Sequence, residues 1–148
     1  MVKVLPHVMR NINEFNIPAE DTRAYEILYF GVNLILMFDY RLSFDIEVIK
    51  DSDGSSSKIE IIIISRKDVP VWKKGNRSGS SNTDIKFYYS NSGERINDVF
   101  KPSVSDAYAF ILNNKTSPVG NNSKAKTVEV TLIHTWQQEI KESQLKYI

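Results

Sequence analysis

Apolar and polar residues alternate through most of the chain. Across residues 43–50, SFDIEVIK, Phe44, Ile46 and Val48 share one parity while Asp45 and Glu47 take the other, the period-two mark of a strand with one buried and one wet face. Residues 57–65 carry Ile59, Ile61 and Ile63 on one face and Glu60, Ile62 and Ile64 on the other; β-branched side chains of this kind pack well on a pleated surface. Residues 84–90 bring Ile85, Phe87 and Tyr89 together, and residues 107–112 do the same with Tyr108, Phe110 and Leu112. Residues 127–134 turn Val128, Val130 and Leu132 inward with Glu129 and Thr131 outward. The run NLILMFDY, residues 33–40, is apolar on both parities and predicts a central strand covered on both faces. Upstream, residues 14–21 predict a short edge strand broken by Pro18, and residues 24–31 a longer strand ending at Gly31.

Asp53-Gly54 lies between two alternating runs, a strong signal for a tight hairpin joining residues 43–50 to residues 57–65. Two longer stretches, 67–83 and 113–126, are rich in Gly, Ser, Asn and Lys. Both are expected as surface loops, and long loops in compact domains are often functional. Only residues 136–148 favour helix, with Trp136, Ile140 and Tyr147 spaced to share a face and Glu139, Lys141 and Glu142 off it.

Residues 108–112 and 127–134 read as two strands of one sheet, joined by a polar loop that stays at the surface because its backbone groups need water. Through Tyr108, Phe110, Asn113, Asn114, Lys126, Thr127, Val128 and Val130, this part of the chain resembles the closing strands of GOLD domains. These are β-sandwich modules of cargo receptors of the early secretory pathway and of some lipid-transfer proteins. In them an aromatic-rich strand passes through an Asn corner into a Lys-Thr or Lys-Val strand. Phe38, Asp45, Ile46 and Val48 match, more loosely, the family's aromatic strand and the Asp-Ile strand after it. The chain departs from the pattern in having no Gly just before Tyr108, Pro118 and Gly120 in place of Tyr-Ser after the corner, and no cysteine pair. The resemblance implies protein or lipid interaction without catalysis, and brings no catalytic residues with it. The expected fold is an all-β antiparallel sandwich of seven or eight strands, jelly-roll or GOLD-like, over residues 1–135, with a short C-terminal helical tail over 136–148.

Composition narrows the chemistry. At 148 residues the chain suits one domain with a core of its own. Its net charge of +1, from 19 basic and 18 acidic residues, provides no overall field to concentrate nucleic acid, so none is expected as a partner. The absence of cysteine removes disulfides, thiol catalysis and Cys-ligated zinc. No apolar run reaches the roughly 18 residues of a membrane span or forms a signal-type segment at the start. As it stands the chain reads as soluble, either cytoplasmic or the ectodomain of an anchored protein. No nucleophile-elbow, phosphate-loop or zinc-protease motif occurs. The two histidines are His7, in an N-terminal segment expected to be mobile, and His134, which shares parity with Val128, Val130 and Leu132 and so reads as a core or rim residue. Asp45 and Glu47 alternate with apolar residues and read as a solvated face rather than an acid pair. Asp51-Ser52-Asp53-Gly54 opens like an EF-hand loop, but Gly is fourth rather than sixth and Ile62 stands where the loop needs Glu. No catalytic residue, metal ligand or cofactor is expected. Three Asn-x-Ser/Thr sequons, at Asn76, Asn114 and Asn121, compare with about two expected by chance at this composition.

One surface segment stands out. Arg66, Lys67, Lys73, Lys74 and Arg77 surround Val69, Val71 and Trp72. An exposed indole among cations suits a protein partner or an anionic membrane surface, where each Lys or Arg adds about 1 kcal/mol; the opposing reading tucks Trp72 and Val71 beneath the segment as a satellite core. Asn113, Asn114 and Lys115 form a second candidate contact loop. The function expected is a non-catalytic interaction domain with a protein or membrane partner. The alternative is a structural subunit that packs against its own copies as a homo-oligomer. A third is a carbohydrate-binding sandwich that uses Trp72 with Tyr88 or Tyr89.

Overall fold

A computed structural model describes residues 2–18, 25–51, 58–78, 84–114 and 125–141. The strands are β1 (Val2–Ile17), β2 (Tyr25–Val32), β3 (Phe38–Asp51), β4 (Ile59–Ser65), β5 (Tyr89–Gly93), β6 (Arg95–Phe100), β7 (Asp106–Asn113) and β8 (Lys126–Lys141). A 3₁₀ turn (Arg66–Asp68) and one helix, α1 (Val69–Ser78), follow β4. The strands form two four-stranded sheets, ordered β1-β8-β3-β6 and β2-β7-β4-β5. Every pairing is antiparallel. β1 pairs with β8, β2 with β7, β3 with β6 and β4 with β5, as though one long hairpin had been rolled up. The contacts of β3 with β8 and of β4 with β7 then close each sheet. This is the jelly-roll form of the sandwich.

The alternating residues make the core. Leu42, Phe44 and Ile46 of β3 and Val128, Val130 and Leu132 of β8 face Ile59, Ile61 and Ile63 of β4 and Tyr108, Phe110 and Leu112 of β7, all buried. Phe44 meets Phe110 edge-to-face across the sheets at 5.2 Å, an arrangement worth about 0.5–1.5 kcal/mol beyond burial. The opposite parity of β4 and β7 is also apolar because that face is covered: Ile62, Ile64, Ala109 and Ile111 pack with Val69 and Trp72 of α1 and with Ile85.

Several expectations are corrected. Residues 33–37 form a turn rather than a central strand, with Ile35 85% exposed. The Asn33 carbonyl accepts from the N–H groups of Leu36 and Met37, and its side chain accepts from Ile35 at 3.0 Å, a local competitor that a hydrophobicity pattern does not register. Asp53-Gly54 does not close a hairpin, because β3 is flanked by β8 and β6, and β4 lies in the other sheet; residues 52–57 themselves are outside the described residues. β7 and β8 likewise belong to opposite sheets, so the strands on either side of the 113–126 stretch are not one hairpin. The stretch from residue 67 begins with the 3₁₀ turn and α1 rather than with loop. The C-terminal helix is replaced as far as Lys141 by β8, and residues 142–148 lie outside the described residues. There β1 and β8 pair without interruption from Val2↔Lys141 to Ile17↔Lys126, and ladder bonds over that length outweigh a modest helical preference. His7 accordingly sits in a paired strand, stacked on Trp136 with ring centroids 5.5 Å apart.

Phe110→Ala is expected to destabilise the protein by about 3–5 kcal/mol, as for a large buried aromatic. Ile35→Ala, in the exposed turn, should stay within about 0.5 kcal/mol of the parent. Urea unfolding of both variants checks the assignment of core and turn.

Candidate functional site

The basic segment does not assemble the contact that its composition suggested. Val69 and Trp72 stand three residues apart on α1 and turn the same face to the sheet. Trp72 is therefore 6% exposed and sits edge-on to Tyr25 at 5.3 Å. Of the two readings of this segment, the fold contains the satellite core for Trp72, whereas Val71 remains exposed. Arg66 lies over the Tyr29 ring at 4.6 Å and Lys73 over the Tyr25 ring at 5.8 Å, so both cations lean on β2. Lys67 and Lys74 are exposed. Arg77 belongs to α1, with its side chain outside the described residues.

Asn113 and Asn114, expected at the start of a surface loop, are not at the surface either. Asn113 is buried and its Nδ2 donates to Glu60 at 2.9 Å. Asn114, also buried, donates through Nδ2 to the Pro18 carbonyl at 2.8 Å. Nearby, the buried Lys126 donates to the Lys58 carbonyl at 2.6 Å. These residues tie strand ends together, which accounts for polar groups in so buried a place. Lys115 lies outside the described residues.

Two other features were not evident beforehand. The first is a cleft of about 230 Å³ between β1 and β2, lined by Met9, Tyr29, Phe30, Tyr40, His134 and Trp136 among others. At its base the Tyr40 hydroxyl hydrogen-bonds to His134 Nδ1. Burial raises the pKa of Tyr40 well above its ordinary 10.0, with the phenol of Tyr108 adding to the effect. Burial also lowers the pKa of His134. Both groups are thus held neutral, and the arrangement that satisfies them is the phenol donating and the imidazole nitrogen accepting. Tyr108 completes the aromatic floor, its hydroxyl donating to the Val104 carbonyl at 2.5 Å and its pKa pushed up to about 12, chiefly by burial. Among the described residues that line the cleft there is no carboxylate, serine or lysine. Among the described residues no three His, Asp or Glu are placed so that they could hold a metal ion, and no helix is long and apolar enough to cross a membrane.

The second feature is the outer face of the β1-β8-β3-β6 sheet. On β1, which is an edge strand, Val4, Val8 and Ile12 are 51%, 68% and 59% exposed. The register continues this face inward: Arg10 is opposite Ile133, Ile133 opposite Ser43, and Ser43 opposite the exposed Val99 of β6. One end of the face is acidic, because Glu14, Glu129 and Glu47 stand in a row across β1, β8 and β3. At the far side Arg95 follows in the row and holds Asp45 through two hydrogen bonds, at 3.2 and 2.9 Å. The four-residue spacing of Val4, Val8 and Ile12 carries no strand signal, and it gains meaning only once β1 is known to be an edge.

No protein-family model matches the chain, and neither does any curated protein. Among solved structures the chain is similar to one from Desmodium yellow mottle tymovirus, at 10% identity and a TM-score of 0.27, over 93% of this chain and 85% of that one.

Two outcomes test the site. Because the folded His134 binds its proton less tightly than the unfolded one, the unfolded state holds more protons below the ordinary pKa of 6.5. The contribution to stability is therefore full above that value and is lost as pH falls through and below it. The urea midpoint should drop on going from neutral pH into this window, and His134→Gln, which still accepts from Tyr40 but does not titrate, should flatten the drop. Trp72→Ala should lower stability by about 3–5 kcal/mol, where an indole serving only a surface contact would leave the midpoint nearly unmoved.

Proposed function

We propose that this chain is a non-catalytic structural subunit that packs against copies of itself through the outer face and open edge of the β1-β8-β3-β6 sheet. The observation that carries the proposal is the contrast between the two sheets. The outer apolar residues of β4 and β7 are covered within the chain by α1 and Ile85. Among the described residues nothing equivalent covers Val4, Val8, Ile12 and Val99, which stay exposed on an uncovered face. Exposed aliphatic residues beside a long open strand are what association between chains uses, and isolated monomers usually blunt such an edge.

The jelly roll by itself does not decide the matter, since shell-forming and carbohydrate-binding proteins share it. A membrane or adaptor role through the basic segment depended on Trp72 as its anchor, and that indole is occupied in packing.

Sedimentation velocity over a wide concentration range tests this. The average mass should rise with concentration above the 17.0 kDa of one chain. A Val8→Asp/Val99→Asp double variant should remain monomeric with an unchanged urea midpoint. A parent chain that stays at one-chain mass throughout would sink the proposal.

A further inference from the structure

Building on the self-packing reading, we infer that two copies join β1 to β1 as antiparallel neighbours, about a two-fold axis at Ile12, so that the two sheets continue into one.

Parity sets the first condition. Odd residues of β1 face the interior side of the sheet: Leu5, His7, Phe15 and Ile17 are buried or half-buried, and Met9, Asn11 and Asn13 line the cleft. Even residues face outward, from Val4 to Glu14, and all are exposed. Pairing across an edge must join residues of equal parity, or the outward face of one copy would meet the inward face of the other. Pro6 sets the second condition. It lies inside the β1–β8 ladder opposite Gln137, and a strand proline is tolerated where its missing N–H faces the open side. The backbone groups of the even residues therefore point to the open edge, ready to pair, except at Pro6 itself and at Pro18 just beyond the strand.

A two-fold antiparallel pair matches residues whose numbers have a constant sum, and the residue on the axis meets its own copy. With Ile12 on the axis, Pro6 falls opposite Pro18, and the proline-free run of residues 7–17 is used whole. In that register Arg10 lies opposite Glu14 of the second copy, twice by symmetry, and Val8 lies opposite Asn16. Neighbouring registers fare worse. An axis at Arg10 or Glu14 sets a like charge directly against itself, an axis at Val8 sets Pro6 against Arg10, and axes at Asn11 or Asn13 separate Arg10 from Glu14. Opposite charges facing each other across strands stabilise a pair and like charges oppose it.

The chain's own charges agree with this choice. Glu14 stands beside Glu129, which stands beside Glu47, so the acidic row lacks a cation on its β1 side. Among the described residues Arg10 makes no ion pair within its own chain; its cross-strand neighbour is Ile133. The second copy would bring each arginine to the open end of the other's acidic row. It would also set Val8 and Ile12 of both copies side by side on the outer face.

Cysteine cross-linking reads the register directly, because the chain has no cysteine of its own. Directly opposed residues in an antiparallel hydrogen-bonded pair have Cα atoms about 5.5 Å apart, inside the range of roughly 4.4–6.8 Å that a disulfide spans. Ile12→Cys should oxidise to a covalent dimer. Val8→Cys is equally exposed but about 27 Å from its counterpart at about 3.4 Å per residue, and should stay monomeric. Arg10→Glu and Glu14→Arg should each weaken self-association several-fold, and a mixture of the two variants should restore it as a heterodimer. If the parent chain self-associates while Ile12→Cys cross-links no faster than Val8→Cys and the mixture restores nothing, this register is overturned and self-packing stands. If the parent chain never rises above one-chain mass, both are overturned.

Discussion

The ladder between β1 and β8 is the constraint on which the rest of the molecule hangs. It runs the full length of both strands without a register shift, so one face of β8 is fixed against β1 while its other edge pairs with β3. That double pairing puts Trp136 between His7 and Tyr40 and brings His134 beneath Phe30. It also sets Val128, Val130 and Leu132 over the core. It decides, too, that β1 rather than β8 ends the sheet. The aromatic cleft, the neutral Tyr40–His134 pair and the open edge all follow from a single pairing.

The two sheets solve the problem of their outer faces differently. One is covered in cis: α1 lays Val69 and Trp72 on Ile62, Ile64 and Ile111, and two cations of the same segment lean on Tyr25 and Tyr29. The other keeps a mixed face, with aliphatic residues at the β1 and β6 borders and the acidic row of Glu14, Glu129 and Glu47 toward one end. Such a division leaves the apolar residues of one outer face covered within the chain and several of those on the other exposed.

What could be read from the residues divides along the same line. The inward parity of β3 and β8 was plain because burial on one face imposes alternation, and the reading of His134 as a core or rim residue followed from the same parity; β4 and β7 are apolar on both parities because α1 covers their outer face. β6 was missed because an edge strand needs few inward residues, here Ile96 and Phe100. α1 was hidden by Gly75 and Ser78 and by the lysines around Trp72, and only the three-residue step from Val69 to Trp72 could have signalled a buried face. Residues 33–37 misled because the Asn33 turn is a hydrogen-bonding effect. Residues 136–141 misled because their partner strand lies at the other end of the chain. The Tyr40–His134 pair had no local signature at all, since the two residues are 94 positions apart.

The nesting of the strands also bears on how the protein comes into being. The inner pair, β4 with β5, forms between near neighbours, whereas β1 has no partner until the chain reaches β8. At synthesis rates of about 5–20 residues per second, the N-terminal strand waits roughly 5–25 seconds for its partner. Such long-range closure is intrinsically slow. The valines and isoleucine that line its outer side are thus most vulnerable before the fold exists, and Pro6, Arg10 and Glu14 act as guards against indiscriminate pairing during that interval.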